Sequence, residues 1–128
     1  MTPLIGDLNH EGQVIMPPIE LSSTGYGFQS QSLLDTSLPV DLVIGKHIAG
    51  GLMKHATSSR KDVLKNLNGT KPVATAYDIE VEISGVKKTA TLYVLKAGGE
   101  LRIGMSLLRK FGYSKIEFDY TKDEFTVT

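Results

Sequence analysis

The chain has 128 residues, enough for one domain with a real hydrophobic core, and its 41% hydrophobic and 22% charged residues are typical of a globular protein. Lys plus Arg equal Asp plus Glu at 14 each, and a formal net charge of zero gives no electrostatic reason to expect nucleic acid or an anionic membrane as a partner. Because cysteine is absent, disulfides, zinc–thiolate sites and thiol nucleophiles are excluded.

The first part of the chain predicts three strands and a helix. The first strand is predicted over residues 12–21 (GQVIMPPIEL), where the Pro-Pro pair requires an edge or a bulge. Two further strands are predicted over residues 27–34 (GFQSQSLL) and 40–44 (VDLVI), from alternating and β-branched residues respectively. Residues 45–56 (GKHIAGGLMKHA) have a helical period, although each central glycine weakens the helix by about 1 kcal/mol relative to alanine.

Two hairpins are predicted in the middle of the chain. Asn68-Gly69 is the strongest turn signal, because a type I′ turn needs positive φ at both central residues. Residues 70–83 supply its second arm, whereas residues 60–67 fit either a strand or a helical turn, and both interpretations stay open. A second turn is predicted near Ser84-Gly85, and the strict alternation of apolar and acidic residues before it is typical of a half-buried strand.

The end of the chain predicts a strand, a short helix and a last hairpin. A break at residues 97–99 (AGG) precedes a strand that becomes helical after Gly104. Gly112 is a plausible C-cap for this helix, and the last hairpin turns around residues 121–123. The stripe that packs the helix on the core is predicted to be Met105, Leu107, Leu108 and Phe111. We therefore expect a single, mainly β domain over residues 1–128 with one or two short helices.

The sequence gives no reason to expect a metal, a cofactor or a membrane segment. The three histidines, His10, His47 and His55, are far apart, and no carboxylate lies at ligand spacing between the last two. The N-terminal residues lack the basic and apolar regions of a secretory signal, and no apolar run approaches the roughly 20 residues of a membrane span. We expect a cytoplasmic protein without a cofactor.

Asp35 is the acidic residue that solvation alone explains least. Apolar residues flank it on both sides (LLDTSLPVDLVI, 33–44), and no Lys or Arg lies within ten residues of it. Burial without a cationic partner raises the pKa of a carboxyl group. Two such groups facing each other can share one proton, so that one acts as a base toward water and the other as an acid toward a carbonyl. An ordinary turn, in which the side chain bonds its own backbone, is the alternative.

The segment around Asp35 resembles the catalytic loop of retropepsin-like aspartic proteases (clan AA), in which an apolar strand ends in Asp-Thr-Gly or Asp-Thr-Ser. The segment reads SLLDTSLPVDLVIGKHIAGGL (32–52) in this chain. A later segment, ELRIGMSLLRKFGYSKIEFDYTKDEFTV (100–127), resembles the second signature of that clan, an apolar strand ending in glycine before a short helix and a hairpin. The likeness is greatest to small archaeal and bacterial members and covers roughly residues 12–128. It implies an all-β acid-protease barrel.

The resemblance implies roles for three residues of the loop. Asp35 is implied to be the catalytic carboxylate, Thr36 to bond the loop of a partner copy, and Ser37 to hydrogen-bond the carboxylate. Because the chain has one such motif, a two-aspartate mechanism implies a homodimer that acts on a peptide or protein. The tail EFTVT (124–128) is a candidate for joining the copies.

The resemblance also implies two supporting elements. Ile103 and Gly104 are implied to lie in the strand behind the catalytic loop, where glycine allows close backbone approach. Asn68, Gly69 and Thr70 are implied to form the tip of a flap, a hairpin that covers bound peptide and excludes water. An ordinary hairpin without that role is the alternative for this segment.

Three positions depart from the usual pattern of the family. Ser37 replaces the commoner glycine, Pro39-Val40 stands where a small glycine-containing turn is frequent, and Arg102 interrupts an apolar pair. We expect Arg102 to extend outward on the alternate face of its strand. An inward Arg102 would lower the pKa of the catalytic aspartate and weaken the shared-proton arrangement.

The sequence therefore predicts a homodimeric aspartic endopeptidase that hydrolyses peptide bonds with water held between two copies of Asp35. Leu33 and Leu34 are expected in the barrel core, with the carboxylate emerging where the copies meet. A catalytically inactive dimer that binds extended peptide by β-augmentation is the alternative from another functional class. A structural barrel domain without a peptide groove is the third hypothesis.

Overall fold

The structure is a computed structural model that describes residues 2–56, 59–64, 67 and 69–128. Within these residues it contains ten strands and two helices. The strands are β1 (Leu4–Leu8), β2 (Val14–Ser23), β3 (Tyr26–Leu34), β4 (Leu42–Gly45), β5 (Ser59–Val63), β6 (Val73–Ile83), β7 (Val86–Leu95), β8 (Leu101–Ile103), β9 (Ile116–Asp119) and β10 (Glu124–Val127). The helices are α1 (Lys46–His55) and α2 (Met105–Lys110).

Six of the strands close into a barrel. Their order around it is β2, β3, β8, β4, β7 and β6, and β6 pairs back with β2 to complete the ring. β5 extends the sheet beyond β6, and β1, β10 and β9 extend it beyond β2. The all-β class with two short helices is therefore confirmed.

Most of the predicted strands and turns are confirmed. β2 shifts its register against β3 between Met16 and Ile19, which places the predicted bulge at the Pro-Pro pair. Ser84 and Gly85 have φ values of 50° and 79°, the positive values that a type I′ turn needs. Along β6, buried apolar residues alternate with more exposed acidic ones, so this strand is half-buried as predicted.

The prediction that residues 12–21 form the first strand is wrong, because β1 precedes it. β1 contains a glycine and an aspartate, which local propensity disfavours in strands, so its pairing with β10 and β2 decides its structure. The open choice for residues 60–67 is settled as strand over the part that β5 covers. β5 pairs antiparallel with β6 from Ser59↔Tyr77 to Val63↔Val73.

Helix α1 packs against the β2–β3 hairpin in a way that explains one of its two glycines. The helix buries Ala49 and Leu52, and the His55 ring stacks on Tyr26 with centroids 4.7 Å apart. A Cβ added to Gly51 would lie 2.2 Å from the Tyr26 hydroxyl oxygen. Glycine at this position therefore costs helix stability but permits the aromatic packing.

The core fills the barrel and extends under both helices. The predicted stripe of α2 is confirmed, since Leu107 and Leu108 are fully buried and Phe111 is nearly so. The largest fully buried side chains are Met16, Ile19, Leu21, Leu42, Ile44, Leu52, Leu92, Leu101, Ile103, Leu107, Leu108 and Phe125. In the described part of the chain, neither helix has the length and apolar character needed to cross a membrane.

Strand β8 runs between β3 and β4 and supports the loop that joins them. It is parallel to β3 and antiparallel to β4. The Asp35 amide donates a hydrogen bond to the Ile103 carbonyl, and the Gly104 amide donates one to the Asp41 carbonyl, both at 2.9 Å. A Cβ added to Gly104 would lie 2.0 Å from the carbonyl oxygen of Val40. The loop over residues 35–41 therefore rests directly on the backbone at Gly104.

Replacing Gly104 with alanine is expected to destabilise the fold. The new Cβ would collide with a backbone oxygen, which cannot move aside like the end of a flexible side chain, so we expect Gly104→Ala to lower the free energy of unfolding by about 1–3 kcal/mol. Urea denaturation followed by circular dichroism measures this difference.

Gly50→Ala is the matched control. A Cβ at Gly50 would meet no atom within 4 Å, and alanine favours a helix interior by up to about 1 kcal/mol over glycine. We therefore expect this variant to be as stable as the wild type or more stable. Equal stability of Gly104→Ala and wild type would show that the close contact at Gly104 does not hold the loop.

Candidate functional site

Asp35 lies at the end of β3, on the loop that β8 supports. Leu34, immediately before it, is buried in the main core. The expectation that Leu33 is also a core residue is wrong: Leu33 is partly exposed and lines a surface groove together with Asp35. Successive residues of a strand point to opposite faces, so burial of Leu34 directs Leu33 toward the groove. The chain turns directly after these residues, with the Leu38 amide bonded to the Asp35 carbonyl at 3.1 Å.

The Asp35 carboxylate is held by groups on both of its oxygens. The Ser37 hydroxyl and the Ser37 backbone amide donate to Oδ1 at 2.6 and 3.0 Å. On the other side, Arg102 Nη1 lies 3.3 Å from Oδ2 and donates a hydrogen bond to it. The hydrogen bond from the Ser37 backbone amide to the Asp35 side chain is the geometry of a side-chain-capped turn. The alternative interpretation of Asp35 as a turn residue therefore describes part of its environment. Thr36, between Asp35 and Ser37 in the chain, is exposed.

Arg102 lies on the alternate face of its strand as expected, but its guanidinium turns to Asp35 instead of extending outward, and that part of the expectation is wrong. Its neighbours in β8, Leu101 and Ile103, are fully buried in the barrel, so alternation along the strand puts Arg102 on the opposite face. That face is the one that the Asp35 loop covers. Arg102 therefore supplies the cationic partner that Asp35 lacks within its own part of the sequence.

Two effects on the ionisation of Asp35 oppose each other. Burial raises the pKa of its carboxyl group, but the hydrogen bonds from Ser37 and the nearby Arg102 guanidinium outweigh burial and hold the pKa below its ordinary value near 3.8. In a single copy of the chain, Asp35 is therefore a well-stabilised carboxylate.

Asp41, at the other end of the loop, is a buried residue that the sequence did not single out. Its carboxylate accepts hydrogen bonds from the Ser106 hydroxyl at 2.6 Å and the Lys110 ammonium at 2.5 Å. The Thr91 amide lies 3.4 Å from the same group. These bonds fasten the loop to α2 and β7. An acidic residue within an otherwise apolar segment (VDLVI, 40–44) is the signal that could have identified it.

The hairpin formed by β5 and β6 ends near the predicted position, at a bridge between Leu67 and Thr70. Leu67 and Thr70 exchange backbone hydrogen bonds at 2.9 and 3.0 Å, and Gly69 has a φ of 76°. Asn68, the other predicted turn residue, lies outside the described residues. Gly69 and Thr70 are exposed at the tip.

Two surface grooves meet at Arg102. One, of about 360 Å³, contains Asp35, Thr36 and Phe118. The other, of about 370 Å³, lies between the hairpin tip, including Thr70, and the 97–100 loop, and Arg102 lines it as well. The structure thus brings Asp35, Thr36, Ser37, Ile103 and Gly104 together in one place. It places the hairpin tip in the neighbouring groove rather than on Asp35.

A small apolar cluster connects the hairpin to the loop that carries Asp35. Leu38 from the loop, Val43 from β4 and Leu64 and Ala74 from the hairpin are all buried in it. Val40 and Leu67 pack against the same cluster. The hairpin root and the Asp35 loop are therefore positioned by shared side-chain contacts.

Metal-binding groups are not assembled in the part of the chain that the structure describes. Among those residues, no three His, Asp or Glu side chains lie close enough together to hold a metal ion. The chemistry available at the grooves is that of carboxylate, hydroxyl and guanidinium groups.

Two solved structures with similar folds are aspartic proteases. A retropepsin-like aspartic protease from Rickettsia conorii superposes with a TM-score of 0.63 at 20% sequence identity, over 98% of this chain and 89% of that one. EIAV protease in complex with an inhibitor superposes with a TM-score of 0.64 at 15% identity, over 86% of this chain and 97% of that one. No protein-family model matches the sequence, and no curated protein matches it significantly. At these identities the likeness establishes the fold, which is retropepsin-like.

The contacts of Asp35 predict how its titration responds to substitution. We expect the pKa of Asp35 to lie below 3.8, and Ser37→Ala and Arg102→Gln each to raise it, because each removes a group that stabilises the carboxylate. NMR titration of ¹³C-labelled side-chain carboxyl groups at a protein concentration that keeps the chain monomeric measures the shift. Arg109→Gln, which removes an exposed arginine of α2, is the control.

The same shift predicts a pH dependence of stability. Because the folded-state pKa is lower than the unfolded-state value, Asp35 stabilises the fold at pH values above the unfolded pKa, and this contribution is lost as the pH falls through the folded pKa. We expect the difference in unfolding free energy between wild type and Arg102→Gln to shrink on acidification through this range. A difference that grows toward acid pH would contradict the assignment.

Proposed function

We propose that residues 1–128 form a single retropepsin-like domain that acts, as a homodimer, as an aspartic endopeptidase with Asp35 of each copy as its catalytic carboxylates. The observation that carries the proposal is the placement of the Asp35 carboxylate, which is fixed by Ser37 and faces an open groove instead of the core. The fold shared with aspartic proteases supports the same conclusion.

The need for two carboxylates is the argument for a dimer. The chain supplies one Asp-Thr-Ser motif, so a two-fold axis near Asp35 is required to bring a second carboxylate to the groove. Thr36 is exposed beside Asp35 and is available to bond the loop of a second copy. Phe118, 41% exposed, lines the same groove and gives the contact an apolar part.

The free sheet edge nearest to this groove belongs to β9. The C-terminal tail was a candidate for joining the copies, but within the described chain β10 already pairs with β1 on one side and β9 on the other. β9 ends the strand order and carries Phe118 on an unpaired edge. We therefore expect the copies to meet along β9 and the Asp35 loop.

The proposed chemistry is hydrolysis by water held between the two carboxylates. The ionised member accepts a proton from the water as its oxygen adds to the carbonyl carbon of the peptide, and the protonated member donates to the carbonyl oxygen. Collapse of this intermediate breaks the C–N bond: the carboxyl that took the water proton passes it to the leaving nitrogen, and the hydroxyl formed from the carbonyl oxygen returns its proton to the other carboxylate. The elements of one water molecule are thereby added across the bond, and the dyad regains its single proton.

The hairpin tip is proposed to act as a flap. Thr70 and the other tip residues border the groove next to Arg102, so peptide lying there would pass beneath the hairpin. The predicted roles of Asn68, Gly69 and Thr70 in covering the substrate stay part of this proposal. A covered peptide would be shielded from bulk water, which strengthens the electrostatic interactions in the site.

The ion pair between Arg102 and Asp35 favours a second function, that of a peptide-binding dimer without catalysis. A guanidinium that keeps both aspartates ionised removes the shared proton on which the acid–base chemistry depends. The grooves would still accept an extended peptide. Proteolysis that is lost on substitution of Asp35 while peptide binding survives identifies the endopeptidase, whereas binding without any such proteolysis identifies the second function.

Asp35→Asn is expected to abolish proteolysis and leave peptide binding intact. The substitution keeps the side-chain size but removes the general base from both copies, so kcat/KM for a denatured protein such as casein should fall at least about 10³-fold. Cleavage is measured at mildly acidic pH by release of peptides. Glu82→Gln removes an acidic charge from β6, far along the strand from the hairpin tip, and is expected to leave cleavage unchanged.

The binding function would be established instead if the wild-type protein binds peptide but has no proteolytic activity that disappears in Asp35→Asn. The distinction requires that Asp35→Asn and the control Glu82→Gln both stay folded. Circular dichroism and thermal melting of each variant provide that check.

Phe118→Glu is expected to weaken the dimer and the activity together. A charge at a contact that buries a phenylalanine should raise the dimer Kd at least about tenfold. Sedimentation velocity measures the Kd, and specific activity at low concentration should fall in parallel. Val86→Glu is the control, since Val86 is similarly exposed, at 49% against 41%, but lies at the tip of the β6–β7 hairpin. A monomer that retains full activity would contradict the proposed assembly.

A further inference from the structure

Arg102 has hydrogen-bonding capacity that its contact with Asp35 leaves unused. A guanidinium carries five N–H donors in a planar fork that matches a carboxylate with two parallel bonds. Within the described chain, Arg102 makes one hydrogen bond to Asp35, through Nη1 at 3.3 Å, and its side chain is 42% exposed. This single long contact falls short of the bidentate arrangement that arginine and carboxylate can form.

The position of Arg102 indicates where the remaining donors could bind a ligand. Arg102 lines both the Asp35 groove and the groove beneath the hairpin, so it marks the point where the two join. The groove beneath the hairpin has a mixed lining that includes the apolar side chains Leu67, Pro72 and Leu95. A chain that runs from one groove to the other must pass the guanidinium.

We propose that Arg102 is a specificity-determining residue that binds an acidic side chain of the peptide substrate, close to the bond that is cleaved and next to an apolar side chain lodged beneath the hairpin. This inference rests on the proposed endopeptidase function and names its substrate class: peptides that carry Asp or Glu beside an apolar residue.

The charge balance of the assembled site supports an anionic partner. Two Asp35 carboxylates that share one proton carry one negative charge, whereas two Arg102 side chains carry two positive charges. At least one guanidinium in the dimer therefore lacks full compensation from the dyad. A substrate carboxylate supplies the missing negative charge. Partial exclusion of water from the groove makes this pairing stronger than at an open surface.

Glu100 is the other charged residue that lines the groove beneath the hairpin. Its side chain is exposed to solvent, and no contact within 4.0 Å joins it to Arg102 among the described ion pairs. Solvent screens an exposed charge, whereas Arg102 is closer to the reacting groups. Removing Glu100 should therefore keep or increase the preference for acidic peptides, and removing Arg102 should abolish it.

The first test identifies cleaved bonds and then compares matched peptides. Cleavage sites of the wild-type protein in denatured casein are mapped by mass spectrometry, and one site is synthesised with Glu or with Gln at the position beside the bond. We expect kcat/KM to favour the Glu peptide by about 10- to 100-fold, the range that a hydrogen-bonded charge pair supplies. In Arg102→Gln the ratio should fall to near one, while the Gln peptide is still cleaved.

Two control variants separate the effect of Arg102 from a general effect of charge. Arg109→Gln removes an exposed arginine from α2 and should keep the wild-type ratio. Glu100→Gln should keep or increase it. An unchanged ratio in Arg102→Gln, or a wild-type enzyme that cleaves both peptides equally, would overturn the inference and leave the endopeptidase function standing.

A binding measurement distinguishes failure of the inference from failure of the proposed function. Fluorescence anisotropy with labelled Glu and Gln forms of a casein-derived peptide measures affinity without cleavage. In Asp35→Asn the guanidinium loses its carboxylate partner, so we expect the Glu form to bind more tightly than the Gln form, and Arg102→Gln to remove the difference. If the wild-type protein binds the Glu form selectively but never cleaves it, the endopeptidase function is refuted, and the role of Arg102 in binding an acidic side chain is retained. Equal binding of both forms would refute the role of Arg102.

Discussion

The two backbone hydrogen bonds that Ile103, the last residue of β8, and Gly104, the residue after it, make with the 35–41 loop position the loop that carries the Asp35 carboxylate. They require β8 to lie directly behind the loop, and a side chain at Gly104 would prevent this. The core sets the register of β8, because Leu101 and Ile103 are fully buried. A shift by one residue would put Arg102 into the core and a branched apolar side chain into the groove, and burying a charge without a partner is costly. The position of the site is therefore a consequence of core packing.

The same packing connects the site to the hairpin. Leu38 follows Asp35 by three residues and is buried against Leu64 from the hairpin arm. Asp41 fixes the far end of the loop through Ser106 and Lys110 of α2. The loop is thus held by backbone bonds behind it, by an apolar cluster on one side and, at its end, by the buried Asp41 carboxylate paired with the half-exposed Lys110. A buried carboxylate with several donors is costly to break, which makes a loop of this kind a rigid support for a functional group.

The sequence could predict the mainly β class, the helices and the turn positions, because each depends on a local pattern, whereas the barrel was predicted only from the resemblance of the Asp35 loop and the 100–127 segment to a known family. Alternation along residues 78–83 and the Asn-Gly and Ser-Gly turns required no knowledge of distant residues. β1 was missed because its strand conformation depends on pairing with β10 at the other end of the chain. Arg102 was misplaced for a similar reason: its side of β8 could be assigned, but the sequence could not show that the Asp35 loop, 67 residues away, covers that side.

The proximity of Arg102 to Asp35 changes what two facing carboxylates would do. Like charges about 3 Å apart normally force one of the pair to stay protonated, and a guanidinium beside each carboxylate reduces that repulsion. With both cations in place, the dyad would hold its proton less firmly and would need a lower pH to act as acid and base together. A substrate carboxylate that draws a guanidinium away from Asp35 would restore the repulsion and hence the shared proton. On this reasoning Arg102, proposed to select an acidic substrate, would also make protonation of the dyad depend on that substrate. Substrate binding and acid–base competence would then be coupled through one side chain.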